Sequence, residues 1–239
     1  MKPTMRTNDD AVSPVIGVML MLVVTIIIAA VVSGFAGGLA EGAKTAPQAS
    51  IAVKTGYGYN YYGTAIDTNN FDISFEHLSG DPIPTKDIEI ITYLTLPNGT
   101  VVQHKQTANS PAVTASYPTY TTNYARLPFI RDQTRGSSYL GEANVNAGET
   151  NPLWFGEYTL MPGQVVRTYK MGGTAAFLGL VPEENVFPVG AAGSENRNAY
   201  DEGIAVLRGC IDANSPVEIK WLHVPSGKYI LNKQITLQG

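Results

Sequence analysis

The sequence predicts an α+β protein: one long apolar helix near the N-terminus, then a mainly antiparallel β-sandwich head. Three observations carry this. From Ala11 to Ala40 there is no charged side chain, and Asp10 and Glu41 bracket the gap. Several later segments alternate apolar and polar residues with period two, as half-buried strands do. Gly, Pro, Asn and Ser punctuate those segments at short intervals, which suits strands joined by turns.

The chain has 239 residues, enough for one ordinary domain or two small ones. Charged residues make up 15% of it, below the roughly 25% usual for soluble domains. The uncharged N-terminal stretch accounts for part of that deficit. The remainder is rich in Tyr, Thr, Asn and Gly and is globular in character. Net charge is −4 and no basic cluster is visible. No nucleic-acid partner is expected, because binding phosphates needs clustered Lys and Arg. Cys210 is the single cysteine, so an intrachain disulfide is ruled out. Its neighbours Gly209 and Ile211 give neither metal spacing nor a redox pair. It reads as a small buried residue.

The helix comes first. Val15 to Ala40 reads VIGVMLMLVVTIIIAAVVSGFAGGLA. A mostly apolar stretch of about 18 or more residues is a membrane-spanning candidate. An ordinary secretory signal has an apolar region of only about 7–15 residues, with its cleavage site after it. The helix is therefore expected to stay on the protein, with any processing before it. The leader MKPTMRTNDDA is polar. Lys2 and Arg6 favour a cytoplasmic side, but Lys44 and Lys54 lie as close to the other end, so charge alone does not orient the chain. Apolar residues occupy every face of the helix, and Thr25 and Ser33 are its only hydroxyls. Such a helix is buried in lipid or in a protein bundle. Gly34, Gly37 and Gly38 permit close helix approach or loosen the exit. Pro14 sits where the first turn forms, a position proline tolerates. Hydropathy alone leaves open a single-pass anchored domain that keeps its N-terminus.

The run Asp9-Asp10-Ala11-Val12-Ser13-Pro14-Val15-Ile16-Gly17-Val18 strongly resembles the N-terminus of archaeal type IV pilins, with their class III signal peptide. The likeness covers residues 9–38, about an eighth of the chain. It implies cleavage between Ala11 and Val12 by a prepilin peptidase, with Asp9, Asp10, Ser13 and Pro14 in the recognised leader context. It also implies extraction from the membrane and packing of Val12–Leu39 into a filament core, through Val15, Ile16, Gly17, Val18, Ala30 and Gly34 among others. Bacterial relatives usually carry Glu at the fifth mature position. Here that position is Ile16, so a buried carboxylate facing a neighbour's terminal amine is not available.

Residues 1–11 thus read as a cleaved leader, 12–40 as the hydrophobic helix, 41–48 as a linker and 49–239 as an extracellular β-domain. Ile51–Lys54 is a short strand signal. Phe71, Ile73 and Phe75 alternate with Asp72, Ser74 and Glu76; Ile88, Ile90, Thr92 and Leu94 repeat the pattern after a turn at Ser79–Pro82. Pro97-Asn98-Gly99-Thr100 reads as a hairpin turn into Val101-Val102. Val217, Ile219 and Trp221 alternate with Glu218 and Lys220; Pro225–Lys228 then turns the chain into Tyr229–Leu231. With no strong helical period, these strands predict an antiparallel sandwich of immunoglobulin type. A long insertion, about 107–200, reads as a surface elaboration with a few strands of its own, such as Gly163–Tyr169.

No catalytic constellation emerges, and the chain is read as not an enzyme. Neither a Gly-x-Ser-x-Gly, a Walker loop, a dinucleotide fingerprint nor a pair of catalytic carboxylates is present. His77, His104 and His223 share no ligand spacing and read as surface or strand histidines. No metal and no cofactor is expected. Glu183-Glu184 and Asp201-Glu202 read as solvated loop charges, with an extracellular calcium site as the alternative. The tract Gly56-Tyr57-Gly58-Tyr59-Asn60-Tyr61-Tyr62 reads as a strand or loop packing on neighbouring subunits, or as an adhesive patch. Asn98-Gly99-Thr100 is the only Asn-x-Ser/Thr match with a permitted middle residue: a candidate N-glycosylation site, or simply a turn.

The function these readings predict is structural. The chain is a subunit of an extracellular filament at the cell surface, polymerising with copies of itself through its N-terminal helix, with adhesion to surfaces or other cells as its role. Its other expected partners are the prepilin peptidase and, before assembly, the membrane as a single-pass precursor. Two alternatives stand: a minor pilin or membrane-anchored adhesin, and a subunit of an archaellin-type motility filament. The share of this chain in purified filaments discriminates major subunit from adhesin.

Overall fold

The computed structural model describes residues 14–42, 44–59, 65–114, 124–130, 150–182 and 197–239. The chain divides into two compact units, Met1–Lys44 and Thr45–Gly239. Helix α1 (Pro14–Gly42) is the only element of the first unit among the described residues. It is a single 29-residue run, about 44 Å long at 1.5 Å per residue.

The second unit is built on two four-stranded sheets in which every neighbouring pair is antiparallel. One sheet holds β1 (Ala49–Tyr59), β2 (Ile66–Gly80), β10 (Val165–Arg167) and β8 (Phe129–Ile130), in that order. The other runs β12 (Lys228–Thr236), β11 (Pro216–His223), β4 (Ile88–Thr95) and β5 (Val101–Gln106). Among the described residues there are also two small pairs: β3 (Ile83–Pro84) with β9 (Thr159–Leu160), and β6 (Val113–Thr114) with β7 (Tyr124–Ala125).

The predicted alternation sets which faces meet. Phe71, Ile73 and Phe75 point inward from β2 and are fully buried; Ile90, Leu94, Val217, Ile219 and Trp221 do the same from the other sheet. Phe75 and Trp221 touch across the interior, with ring centroids 5.1 Å apart. The period extends one residue further than the three apolar members suggest. His77 is the next inward position of β2 and is fully buried, not the surface histidine that the sequence left open. Its Nδ1 lies 3.2 Å from the Leu160 carbonyl oxygen and its Nε2 3.1 Å from that of Ser79.

Among the described residues, two helices of the head join the mainly antiparallel strands that the sequence predicts. Helix α2 (Lys170–Phe177) is buried from Met171 to Phe177 and packs on β2, with Phe177 5.9 Å from Phe75. A hydroxyl chain fixes it there. Thr174 donates to the Phe71 carbonyl (3.0 Å), so Thr168 must donate to Thr174 Oγ1 (2.7 Å), and Thr168 Oγ1 accepts from Ile73 N–H (3.0 Å). Helix α3 (Arg197–Asp212) packs on α2 and buries Tyr200, Gly203, Ile204, Leu207, Cys210 and Ile211. These positions trace one helical stripe. Asp201 and Glu202, read from the sequence as loop charges, lie on the exposed side of this helix.

The 107–200 stretch is likewise no mere surface elaboration where it is described. Its strands β8 and β10 join the first sheet, and Trp154, Phe155, Leu160, Val166 and Phe177 belong to the core. Arg126 pins this part of the chain: its Nε donates to the Ser110 carbonyl (2.8 Å), and one Nη donates to the Phe155 carbonyl (3.0 Å) and to Glu157 (3.1 Å).

The two glycines of α3 give a prediction with opposite signs. A Cβ at Gly203 would sit 3.0 Å from the Leu180 carbonyl oxygen and 3.1 Å from Val181 Cγ2; one at Gly209 would meet nothing within 4 Å. Gly203→Val is expected to destabilise the head by about 1–3 kcal/mol through overpacking. Gly209→Ala is expected to stabilise it by about 0.5–1 kcal/mol, because an exposed helical glycine carries an entropic cost. Urea unfolding of a head-only chain starting at Thr45 measures both.

Candidate functional site

The segment that carries the strongest functional signal is α1. Every residue from Val15 to Gly34 is exposed in this single chain, and the stretch is long and apolar enough to cross a membrane. Twenty residues at 1.5 Å rise match the roughly 30 Å hydrocarbon core. Pro14 is the first residue of the helix. Val15, Ile16 and Val18 in its first turns are 65%, 55% and 66% exposed, and Ala30 is exposed near its middle. Such a surface is stable only against lipid or other protein.

Two details of the helix bear on which cover it suits. Thr25 Oγ1 donates to the Leu22 carbonyl at 2.9 Å, so its hydroxyl needs no outside partner in an apolar setting. An added Cβ at Gly17 or Gly34 would meet nothing within 4 Å. Glycine inside a helix costs roughly 0.8–1 kcal/mol relative to alanine. No contact among the described residues accounts for either glycine, whereas close approach by another helix would.

Asp9, Asp10, Ala11, Val12 and Ser13, which the sequence singles out around the cleavage point, lie outside the described residues. So do Asn60 to Tyr62 of the Tyr/Gly tract and the pair Glu183-Glu184. The described part of that tract is anchored to its own head. Tyr57 is half-buried and meets Phe71 edge-on, with centroids 5.3 Å apart. Asn98 stands exposed in the turn between β4 and β5.

The chemistry-bearing side chains of the head that are described serve its packing. Among the described residues, no three His, Cys, Asp or Glu side chains are placed to hold a metal ion. His77 is held between two carbonyls, and His223 Nδ1 lies 2.8 Å from Ser226 Oγ. Cys210 is fully buried. Burial pushes its thiol up, and a hydrogen bond with Ser215 offsets this only in part; a thiol so shifted is a poor nucleophile. Tyr158 is also buried, and desolvation holds its phenol well above the ordinary range while it donates to the Pro128 carbonyl at 2.9 Å. Both are structural positions.

Comparison with known proteins points to the same end of the chain. Residues 10–51 match the family model described as archaeal Type IV pilin, N-terminal. A protein of Archaeoglobus fulgidus, described only as uncharacterized, is 36% identical over 87 residues. That alignment takes in 36% of this chain and 54% of the relative, so the chain spans about half the length of the curated relative it matches. No solved structure matches the chain.

Proposed function

We propose, from the match of residues 10–51 to the archaeal type IV pilin N-terminal family model, that the chain is a structural subunit of an extracellular pilus-like filament. The observation that carries the reading is a helix of 29 residues with apolar side chains on every face, exposed over Val15–Gly34 among the described residues. Lipid covers it first, in a single-pass precursor. Copies of the same helix cover it afterwards, in the filament core. Burial of apolar surface is worth about 25 cal/mol per Å², so a helix of this length packed on several neighbours holds a polymer without covalent links. Subunits related by a screw axis make a heterologous contact that does not close.

In this reading a prepilin peptidase cuts between Ala11 and Val12, and residues 12–40 pass from membrane to filament. The linker 41–48 leads to the head, 49–239, displayed outside the cell, where it meets surfaces or other cells. The Ala11–Val12 cut rests on Asp9-Asp10-Ala11 standing directly before an apolar helix too long for an ordinary signal.

The expected result is a mature chain beginning at Val12, which N-terminal sequencing of protein sheared from native cells reads directly. A retained Met1, or a cut beyond the apolar run near Gly38, would sink the reading. Electron microscopy and mass spectrometry of the same material test the polymer. Filaments made mainly of this chain support a major subunit, and traces assign it to a minor pilin or anchored adhesin.

A further inference from the structure

The turn at the far end of the β4–β5 hairpin carries chemistry that filament assembly does not use. Thr95 pairs with Val101, leaving Leu96 to Thr100 as the loop. Gly99 N–H donates to the Leu96 carbonyl at 2.9 Å, and Leu96 N–H to the Thr100 carbonyl at 2.8 Å. Pro97 supplies the φ that the first central position of such a turn favours, and Gly99 takes the left-handed conformation, φ 85°. These two bonds close the turn within the chain. Pro97, Asn98, Gly99 and Thr100 are all exposed.

Asn98 has a defined posture within this turn. Its Oδ1 accepts from the Thr100 backbone N–H at 2.9 Å. The carboxamide oxygen is thus turned back onto the chain, and the Nδ2 amide is left on the exposed side of the tip. An added Cβ at Gly99 would meet nothing within 4 Å, so an approaching enzyme meets open space. The hydroxyl of Thr100 stands two residues on, and Gly99 between them is a permitted middle residue. Sequence, exposure and side-chain posture coincide at one position.

We infer that Asn98 is an acceptor for an N-linked glycan, transferred from a lipid-phosphate-linked oligosaccharide outside the membrane. The inference rests on the extracellular placement of the head. In the transfer, Asn98 Nδ2 attacks the anomeric carbon of the first sugar. The new C–N bond forms as the bond from that carbon to the phosphate oxygen breaks. The lipid phosphate leaves, and one Nδ2 proton passes to a basic group of the transferase. Nothing is oxidised or reduced.

The position also gives the sugar a use. Among the described residues β5 is an edge strand of its sheet, with Val101 56% exposed at its start. Exposed edges invite pairing with another chain. A bulky solvated group at the hairpin tip shields that edge from a neighbouring head.

The test uses full-length chain purified from the outer surface of native cells. Tryptic digestion releases Asp87–Lys105, which contains no other Lys or Arg. This peptide is expected at a mass raised by a series of sugar units. The gain and the accompanying gel retardation should vanish in Asn98→Gln and in Thr100→Ala. Both should persist in Thr100→Ser, which keeps a hydroxyl at that position. Thr100→Ala also keeps the backbone N–H that Asn98 uses, so its loss of sugar cannot be assigned to a disrupted turn. The N-terminus is read on the same sample. A chain beginning at Val12 whose Asp87–Lys105 peptide is unmodified, or carries only the small gain of deamidation at Asn98-Gly99, overturns the glycan and leaves the pilin reading standing. A chain still beginning at Met1 overturns the pilin reading, and the mass of its Asp87–Lys105 peptide still decides the glycan by itself.

Discussion

Replacing Ile26 by Asp is expected to abolish filaments and to strip most of the precursor from the membrane. Ile26 lies near the middle of the Val15–Gly34 span and is 58% exposed in the single chain. Whatever covers it in the cell is therefore apolar lipid or apolar protein. An Asp at the centre of a spanning helix costs about 2.5–3.5 kcal/mol on the insertion scale, where Ile contributes about −0.3 to −0.6. A difference of about 3 kcal/mol is more than 100-fold in an equilibrium. The same charge in a protein-lined core lacks a partner, and an unpaired buried charge is at least as costly. No charged residue lies between Ala11 and Ala40 to pair with it. Ile26→Val is the control and should behave like the parent. Membrane fractionation and electron microscopy of the cell surface read the two steps separately. If Ile26→Asp chains polymerise at normal yield, the helix is not the core of the filament.

The parts of the fold legible in the sequence were those where one physical term dominates. The absence of charge over thirty residues left only an apolar environment for α1. The alternations at Phe71–Phe75, Ile88–Leu94 and Val217–Trp221 were legible because each strand buries its apolar face fully and covers most of the other face only in part. The turn at Pro97–Thr100 was legible because proline and glycine each meet a specific dihedral requirement.

The missed elements fail in a corresponding way. Helix α2 is buried on all sides, so its sequence KMGGTAAF shows no amphipathic period, and its paired glycines argue against a helix. Helix α3 does show its stripe, with Tyr200, Ile204, Leu207 and Ile211 at helical spacing. Gly203 and Gly209 lower its intrinsic propensity, and the charges of Asp201-Glu202 looked like a loop. Gly203 is there because Leu180 and Val181 pass close by, a tertiary reason that no local reading supplies. The burial of His77 was legible in principle. It continues the period of Phe71, Ile73 and Phe75, and the polar identity of the residue hid the pattern. The signal at α1 was equally plain, but the residues around the proposed cut leave no structural trace among the described ones.

A milder change should separate membrane residence from polymerisation. Gly17→Leu and Ala30→Leu both keep α1 apolar; an added Cβ at Gly17 meets nothing within 4 Å among the described residues, and Ala30 is exposed. Leucine is a better helix former than glycine by roughly 0.8 kcal/mol and nearly equal to alanine. Insertion, helix formation and the leader before Val12 are therefore undisturbed, and processed chains should accumulate in the membrane at parental levels. Lipid adapts to an added side chain because it is fluid. A fitted helix interface does not, and added methylenes in a packed interior typically cost about 1–3 kcal/mol per site. In a filament that cost recurs at every subunit, so even the lower figure shifts the polymerisation equilibrium at each addition by about fivefold. At least one of the two variants is expected to yield cleaved, membrane-held subunits with few or no filaments. Immunoblots of membrane and sheared fractions, with N-terminal sequencing, show which step has failed. Normal filament yield from both would mean that close helix approach at Gly17 and Ala30 does not hold the polymer. The helical glycine at 17, with no contact among the described residues to require it, would then have no structural explanation.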